Sequence, residues 1–120
     1  MHLGWLDTCI RVADVRQSRA FYEALGFVRA EGDDGEGWAV MVSGYSRIGL
    51  FEPKFMSTPF SLNFRGGDVM AIGQAIQQKG IAFESGPTPG AKGGASASLR
   101  DPDGNMIFFD CAPDEVKPVP

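Results

Sequence analysis

Residues 6–32 read LDTCIRVADVRQSRAFYEALGFVRAEG, and residues 60–86 read FSLNFRGGDVMAIGQAIQQKGIAFESG. In each segment an aspartate precedes a helical stretch and a glycine follows it, which predicts an N-cap and a left-handed residue after the helix. The two segments therefore indicate an internal duplication, although two unrelated strand–helix–strand units with similar caps remain an alternative. With residue i aligned to residue i+54, the identical positions are Arg11/Arg65, Asp14/Asp68, Val15/Val69, Gly26/Gly80 and Gly32/Gly86.

The hydrophobic pattern around these segments predicts one strand, one helix and three more strands in each half. Modules are expected at about 5–55 and 60–112, within a single domain of residues 1–112, and residues 113–120 are expected to form a flexible tail. One helix cannot cover both faces of four strands, so the predicted fold is α+β, with two βαβββ modules forming a cupped, barrel-like mixed sheet around a cleft. The predicted elements are strand 6–12, helix 16–25, strands 27–30, 38–42 and 47–52, a strand from 60, helix 69–79, strands 81–84 and 95–100, a loop at 86–94 and a strand at 105–111.

Composition excludes several classes of protein. Hydrophobic residues make up 43% and charged residues 22% of the 120 residues, which is typical of a folded domain and not of a disordered acidic segment. The net charge of −4 argues against nucleic acid as a partner, and no apolar run reaches membrane-spanning length. Two cysteines and no secretory signal pattern predict a cytoplasmic protein.

Several short motifs resemble one family when they are taken in order. These are the first strand with Asp14-Val15, then Leu25-Gly26-Phe27, and the closing turn Asp101-Pro102-Asp103-Gly104-Asn105 before an apolar strand. Together they resemble the vicinal oxygen chelate superfamily, which contains glyoxalase I, bleomycin resistance proteins, fosfomycin-resistance enzymes and extradiol dioxygenases. The resemblance covers about residues 5–111, and it implies a cleft that is often completed in a homodimer.

The resemblance also implies where a divalent metal would be held in enzymatic members. The ligand positions on the first, fourth, fifth and eighth strands correspond here to Asp7, Gly49, Ser61 and Phe108. Glycine and phenylalanine offer no side-chain donor, and the single histidine, His2, lies near the N-terminus. We therefore expect no metal and no other cofactor, and no metal-dependent glyoxalase or dioxygenase activity.

Strand alternation predicts which side chains share the polar face of each sheet. The apolar set Leu6, Thr8, Ile10, Val12, Leu62, Phe64, Ile107 and Phe109 is expected beneath the helices. The candidate ligand-binding residues are Arg11, Trp38, Asn63, Arg65, Phe108 and Asp110, and Asp7 is the candidate catalytic base.

For several of these residues the sequence leaves two interpretations open. The two arginines Arg11 and Arg65 would suit an anionic ligand group, or else they pair with internal carboxylates, Arg11 with Asp7 or Asp110. Trp38 either stacks on a flat ligand or belongs to the core, and a buried, inert role is favoured for Cys9 over a reactive thiolate.

Three functions are compatible with this pattern. The favoured one is a metal-independent protein that binds a small organic ligand, aromatic or antibiotic-like, in a homodimeric cleft. The second is a metal-independent lyase or isomerase in which Asp7 acts as base and Arg11 or Arg65 stabilises an oxyanion. The third is a degenerate structural or regulatory module, so whether the protein is an enzyme stays open at this point.

Overall fold

A computed structural model describes residues 1–91 and 93–112 of the chain. The predicted tail, residues 113–120, lies outside the described residues. The elements follow the order of two βαβββ modules, and the α+β class is confirmed. They are β1 (Gly4–Arg11), α1 (Val15–Ala24), β2 (Val28–Asp33), β3 (Trp38–Ser43), β4 (Ser46–Phe51), β5 (Phe60–Gly66), α2 (Val69–Gln78), β6 (Ser85–Pro89), β7 (Ala95–Arg100) and β8 (Met106–Cys111).

The chain divides into two compact units, and strand β1 crosses the boundary between them. The N-terminal unit is Asp7–Ser61, and the C-terminal unit is Met1–Leu6 together with the described residues from Leu62 onwards. In the N-terminal unit the strand order is β2-β3-β4-β1, with β4 antiparallel to β3 and parallel to β1. In the C-terminal unit the order is β5-β8-β7-β6, with β7 antiparallel to both neighbours. The predicted mixed strand pairing is therefore confirmed.

Both helices begin and end where the duplicated residues predict. The side chain of Asp14 accepts a hydrogen bond from the backbone N–H of Arg16, and that of Asp68 accepts one from Ala71. Gly26 and Gly80 follow the helices with φ angles of 102° and 82°, which residues with a Cβ rarely adopt. The duplicated aspartates and glycines thus set the helix limits in both modules.

Each helix packs on one face of its own unit's strands. Val15 of α1 is buried with the strand residues Ala39, Met41 and Leu50, and Ile10 and Val12 pack against this cluster. Ile72 of α2 is buried with the strand residues Phe109 and Leu99, and Phe64 and Ile107 pack against them. The helix-covered positions predicted from strand alternation are therefore confirmed for Ile10, Val12, Phe64, Ile107 and Phe109, whereas Leu6 is 44% exposed.

Strand β6 departs from the prediction. The sequence pattern places a strand at 81–84 and a loop from Gly86, but the strand is Ser85–Pro89 and pairs antiparallel with β7. Proline is tolerated because β6 ends the strand order and needs ladder hydrogen bonds on only one side.

Neither helix, at ten residues each, is long enough to cross a bilayer, and no longer apolar helix occurs in the described part of the chain.

Candidate functional site

In the N-terminal unit, the strand face opposite α1 carries a buried ion pair. Asp7 is 1% exposed and accepts a hydrogen bond from Nε of Arg47, whose Nη2 lies 3.4 Å from Asp7 Oδ2. Arg47 also approaches Glu31, with 3.5 Å between Nη2 and Oε2. The candidate base is therefore held by a guanidinium on the next strand, which is the arrangement of a structural ion pair.

Arg11 lies on the same strand as Asp7 but does not bind it. Its Nη1 donates to the carbonyl oxygen of Ser57 at 3.0 Å, and its backbone N–H donates to Pro59 at 2.9 Å. The alternative that Asp7 is the internal partner of Arg11 is therefore wrong, because Arg47 takes that place. These two hydrogen bonds hold residues 57–59, which lie between the two modules, against the end of β1.

Trp38 stands at the start of β3 in a row of aromatic side chains. Its ring stacks on Phe51, with centroids 5.8 Å apart and 6° between the planes, and Phe51 meets Phe55 edge-on at 5.9 Å. The indole Nε1 donates to Glu36 Oε2 at 3.0 Å. The sequence leaves open whether Trp38 stacks on a ligand or on the protein, and the structure shows one ring face against Phe51.

The fourth-strand position, Gly49, has no room for a side chain. A Cβ there would lie 2.7 Å from Cε2 of Phe51 and 2.8 Å from Sγ of Cys9, which is the β1 residue in register with it. Cys9 itself is buried, in line with the inert interpretation. Glu52, the residue directly after β4, accepts a hydrogen bond from the backbone N–H of Val15 at 3.0 Å. Glu52 therefore serves the N-terminus of α1.

In the C-terminal unit, the face opposite α2 carries the other candidate residues. Phe108 and Asp110 are half-buried on β8, where they stand in register with Ser98 and Ser96 of β7. Asn63 is half-buried on β5, and its Oδ1 is fully buried without a hydrogen-bond donor among the described residues. A buried acceptor of this kind is uncommon in folded proteins.

Arg65, two residues beyond Asn63, packs on the aromatic ring of Trp5, which is not among the predicted site residues. Its guanidinium carbon lies 5.9 Å from the ring centroid of Trp5, at the range of a cation–π contact. Trp5 belongs to β1 but to the C-terminal unit. Strand alternation places Trp5 on the same face of β1 as Asp7, so the sequence did contain a signal for this residue.

This arrangement matches a known family in sequence as well as in fold. A sequence profile of the Glyoxalase/Bleomycin resistance protein/Dioxygenase superfamily matches residues 2–109. The chain belongs to this superfamily. A search of curated proteins gives no match.

Solved structures of this glyoxalase-type fold are similar to the chain over most of its length. An NAD-dependent benzaldehyde dehydrogenase structure from Legionella pneumophila has a TM-score of 0.72 and 21% identity, with 88% of this chain and 97% of that chain covered. A hypothetical protein from Bacillus halodurans has a TM-score of 0.67 and 18% identity, with 98% of both chains covered. A superfamily member from Vibrio splendidus has a TM-score of 0.64 and 16% identity, with 89% and 97% covered. At these identities the likeness shows the fold alone.

The superfamily's metal does not fit the residues of this glyoxalase-type chain. Asp7 is engaged by Arg47, Gly49 is covered by Phe51, and Phe108 has no donor atom. Within residues 1–91 and 93–112, no three histidine, cysteine, aspartate or glutamate side chains gather as metal ligands. A divalent transition metal needs at least three such protein ligands, so the residues at these four positions do not fit one.

Proposed function

We propose that this superfamily member is a metal-independent protein that binds a small organic ligand on the polar strand face opposite α2. One observation carries the proposal, namely the buried Oδ1 of Asn63, for which no described residue provides a donor. Leaving a buried acceptor unsatisfied costs about 1–3 kcal/mol. A ligand N–H or O–H group that donates to Asn63 would recover that free energy.

The neighbours of Asn63 in the C-terminal unit support an aromatic ligand. Phe108 is half-buried on the same predicted face and offers a flat apolar surface where other superfamily members are expected to hold a metal. Arg65 adds a positive charge that already lies over an aromatic ring. We therefore infer a ligand with a planar ring and at least one hydrogen-bond donor.

Metal independence is supported by the N-terminal unit. The charge of Asp7 is balanced by Arg47, and the ring of Phe51 fills the place of a fourth-strand ligand. The same ion pair argues against Asp7 as a general base, since a base must be free to take a proton from a substrate. We therefore do not favour the lyase or isomerase alternative.

The experiment is a screen of planar aromatic compounds, with and without N–H or O–H donors, by quenching of tryptophan fluorescence and by thermal shift. A compound with a donor is expected to bind, and its analogue without the donor is expected to bind at least about tenfold more weakly, as one hydrogen bond is worth roughly 1.4 kcal/mol here. Binding should persist in EDTA. Loss of binding in EDTA would contradict metal independence.

The Asn63→Leu variant separates a ligand-binding role from a structural one. Because the amide oxygen has no described donor, its removal should leave the stability of the free protein unchanged or higher while ligand affinity falls. The control is Thr88→Val at an exposed position of β6, which should change neither quantity. A large loss of stability in Asn63→Leu would show that this amide holds the fold together, and the proposal would fail.

We also propose that the protein acts as a cytoplasmic homodimer, because the superfamily resemblance implies that such sites are often shared by two copies. Sedimentation equilibrium of the purified protein tests this directly. A mass equal to the 12.9 kDa chain at all micromolar concentrations would contradict the dimer.

A further inference from the structure

Three arginines of the N-terminal unit surround one carboxylate on the surface formed by α1, β2 and the turn after β2. Arg16 and Arg19 stand three residues apart on α1, so they share a helix face, and Arg29 follows on β2. The turn between β2 and β3 brings Asp34 to them. We call Arg16, Arg19, Arg29 and Asp34 the arginine cluster.

Only one of the three arginines hydrogen-bonds to the carboxylate. Arg19 binds Asp34 through two bonds, Nε to Oδ1 at 2.9 Å and Nη2 to Oδ2 at 2.6 Å, and its Nη1 donates to Glu23 at 2.6 Å. The hydrogen bond from Arg19, and then its charge, lower the pKa of Asp34, while desolvation opposes them. Asp34 is thereby kept ionised and committed to Arg19.

The guanidinium groups of Arg16 and Arg29 lie near the carboxylate of Asp34 but do not hydrogen-bond to it. Nε of Arg16 lies 4.0 Å from Asp34, and Nη1 of Arg29 lies 3.8 Å from it, so neither makes a hydrogen bond. Their side chains are 70% and 44% exposed. Each guanidinium has five N–H donors, so both keep donors that can bind a further acceptor close to Asp34.

The charge balance of the cluster is positive. The arginine cluster has three positive charges and one negative charge, on a chain of net charge −4, and Glu23 and Asp33 beside it carry one negative charge each. The neighbouring Asp33 directs its carboxylate to the backbone N–H groups of its own turn. An arginine fork matches the oxygens of a phosphate group in geometry and charge.

We propose that Arg16 and Arg29 form a binding site for a phosphate dianion, either free or as a phosphate monoester. Arg19 is held behind Asp34 and adds positive charge without direct contact. The site lies on α1 and β2, so it is independent of Asn63 and of the proposed function. It would let the protein take up a phosphorylated small molecule, or respond to phosphate, at a second place.

The test is a titration of the protein with inorganic phosphate, followed by phosphorus NMR at low ionic strength, and a parallel titration with glycerol phosphate as the monoester. A saturable change of the phosphorus resonance is expected, and Arg16→Gln and Arg29→Gln should each weaken binding by about threefold or more. Both side chains are exposed enough that these variants should fold normally. Binding of the monoester but not of free phosphate would assign the ligand to the esterified form, and the reverse would assign it to free phosphate.

Asp34→Asn gives the opposite expectation, because it removes the carboxylate that competes with phosphate for the arginines. Phosphate should bind more tightly to this variant, whereas a purely structural ion-pair network predicts no phosphate binding in any variant. The control is Arg100→Gln, which removes an arginine that pairs with Glu84 in the C-terminal unit. The proposal is overturned if the wild type shows no saturable response, or if Arg100→Gln weakens binding as much as Arg16→Gln.

Discussion

Replacement of Arg47 by methionine tests whether the ion pair with Asp7 holds the N-terminal unit together. Asp7 is 1% exposed, so without the guanidinium its carboxylate would lose the ion pair with Arg47 in a poorly hydrated place. Removing one partner of a buried ion pair costs about 3–5 kcal/mol. Since the Arg47 side chain is 26% exposed and water screens part of the interaction, we expect the lower end, about 3 kcal/mol.

The assay is urea unfolding followed by circular dichroism, with thermal unfolding as a second measurement. For a chain of this size about 3 kcal/mol corresponds to a fall in Tm of roughly 12 °C. Asp7→Asn removes the charge that needs compensation, so Arg47→Met should cost much less in that background, with a coupling free energy of about 1.5 kcal/mol or more. A matched surface control is Arg100→Met, where both partners are well exposed and the loss should stay below about 1 kcal/mol.

The reasoning is refuted if Arg47→Met unfolds within about 0.5 kcal/mol of the wild type, or if the two substitutions are additive. Either result would mean that Asp7 does not depend on Arg47. A catalytic role for Asp7 would then have to be considered again.

Three further predictions concern single contacts. Gly73→Ala should destabilise the C-terminal unit by about 1–3 kcal/mol in urea unfolding, because a Cβ there would lie 2.1 Å from Cγ of Pro87. Glu52→Ala should cost about 1 kcal/mol in the same measurement, because it leaves the Val15 N–H at the start of α1 without its acceptor. The side-chain and backbone hydrogen bonds of Asn105 lower the pKa of Asp101, so this carboxylate stabilises the fold above its ordinary pKa of 3.8, and that contribution is lost as the pH falls through the lowered value. Asp101→Asn should therefore unfold more easily than the wild type at pH 7, and the difference should shrink at pH 3.

Each of these predictions has a control or a contrary outcome. Gln74→Ala changes an exposed position of α2 next to Gly73 and should stay within about 0.5 kcal/mol of the wild type. Glu52→Gln keeps an acceptor for Val15 and should lose less than Glu52→Ala; equal losses would exclude the hydrogen bond as the cause. A pH-independent difference for Asp101→Asn would show that its charge is not involved.

The parts of the fold that local physics dictates could be predicted from the sequence. Asp14 and Asp68 cap the helices and Gly26 and Gly80 end them, because these positions depend on a few neighbouring backbone groups. The alternation of β8 correctly placed Phe109 beneath α2 for the same reason. Strand β6 was missed because it contains two prolines, which argue against a strand in the sequence. Its position at the edge of the strand order tolerates them in the structure.

Contacts between distant residues could not be predicted in the same way. Arg47 is 40 residues from Asp7, and only the parallel register of β1 with β4 brings them side by side. Strand alternation predicts on which face of β1 Asp7 lies, but it does not predict that Arg47 of the neighbouring strand is its partner. The ring of Phe51 lies against Gly49 on the same strand, and no sequence pattern predicts the orientation of that side chain.

The ring of Phe51 over Gly49 has a consequence for anyone who would engineer a metal site into this chain. A glutamate introduced at position 49 would place its Cβ where Phe51 and Cys9 already are, so the variant would be destabilised before it gained any chelating power. A permissive change at Phe51 or Cys9 would therefore have to come first. The order in which the substitutions are introduced would decide whether the variant folds.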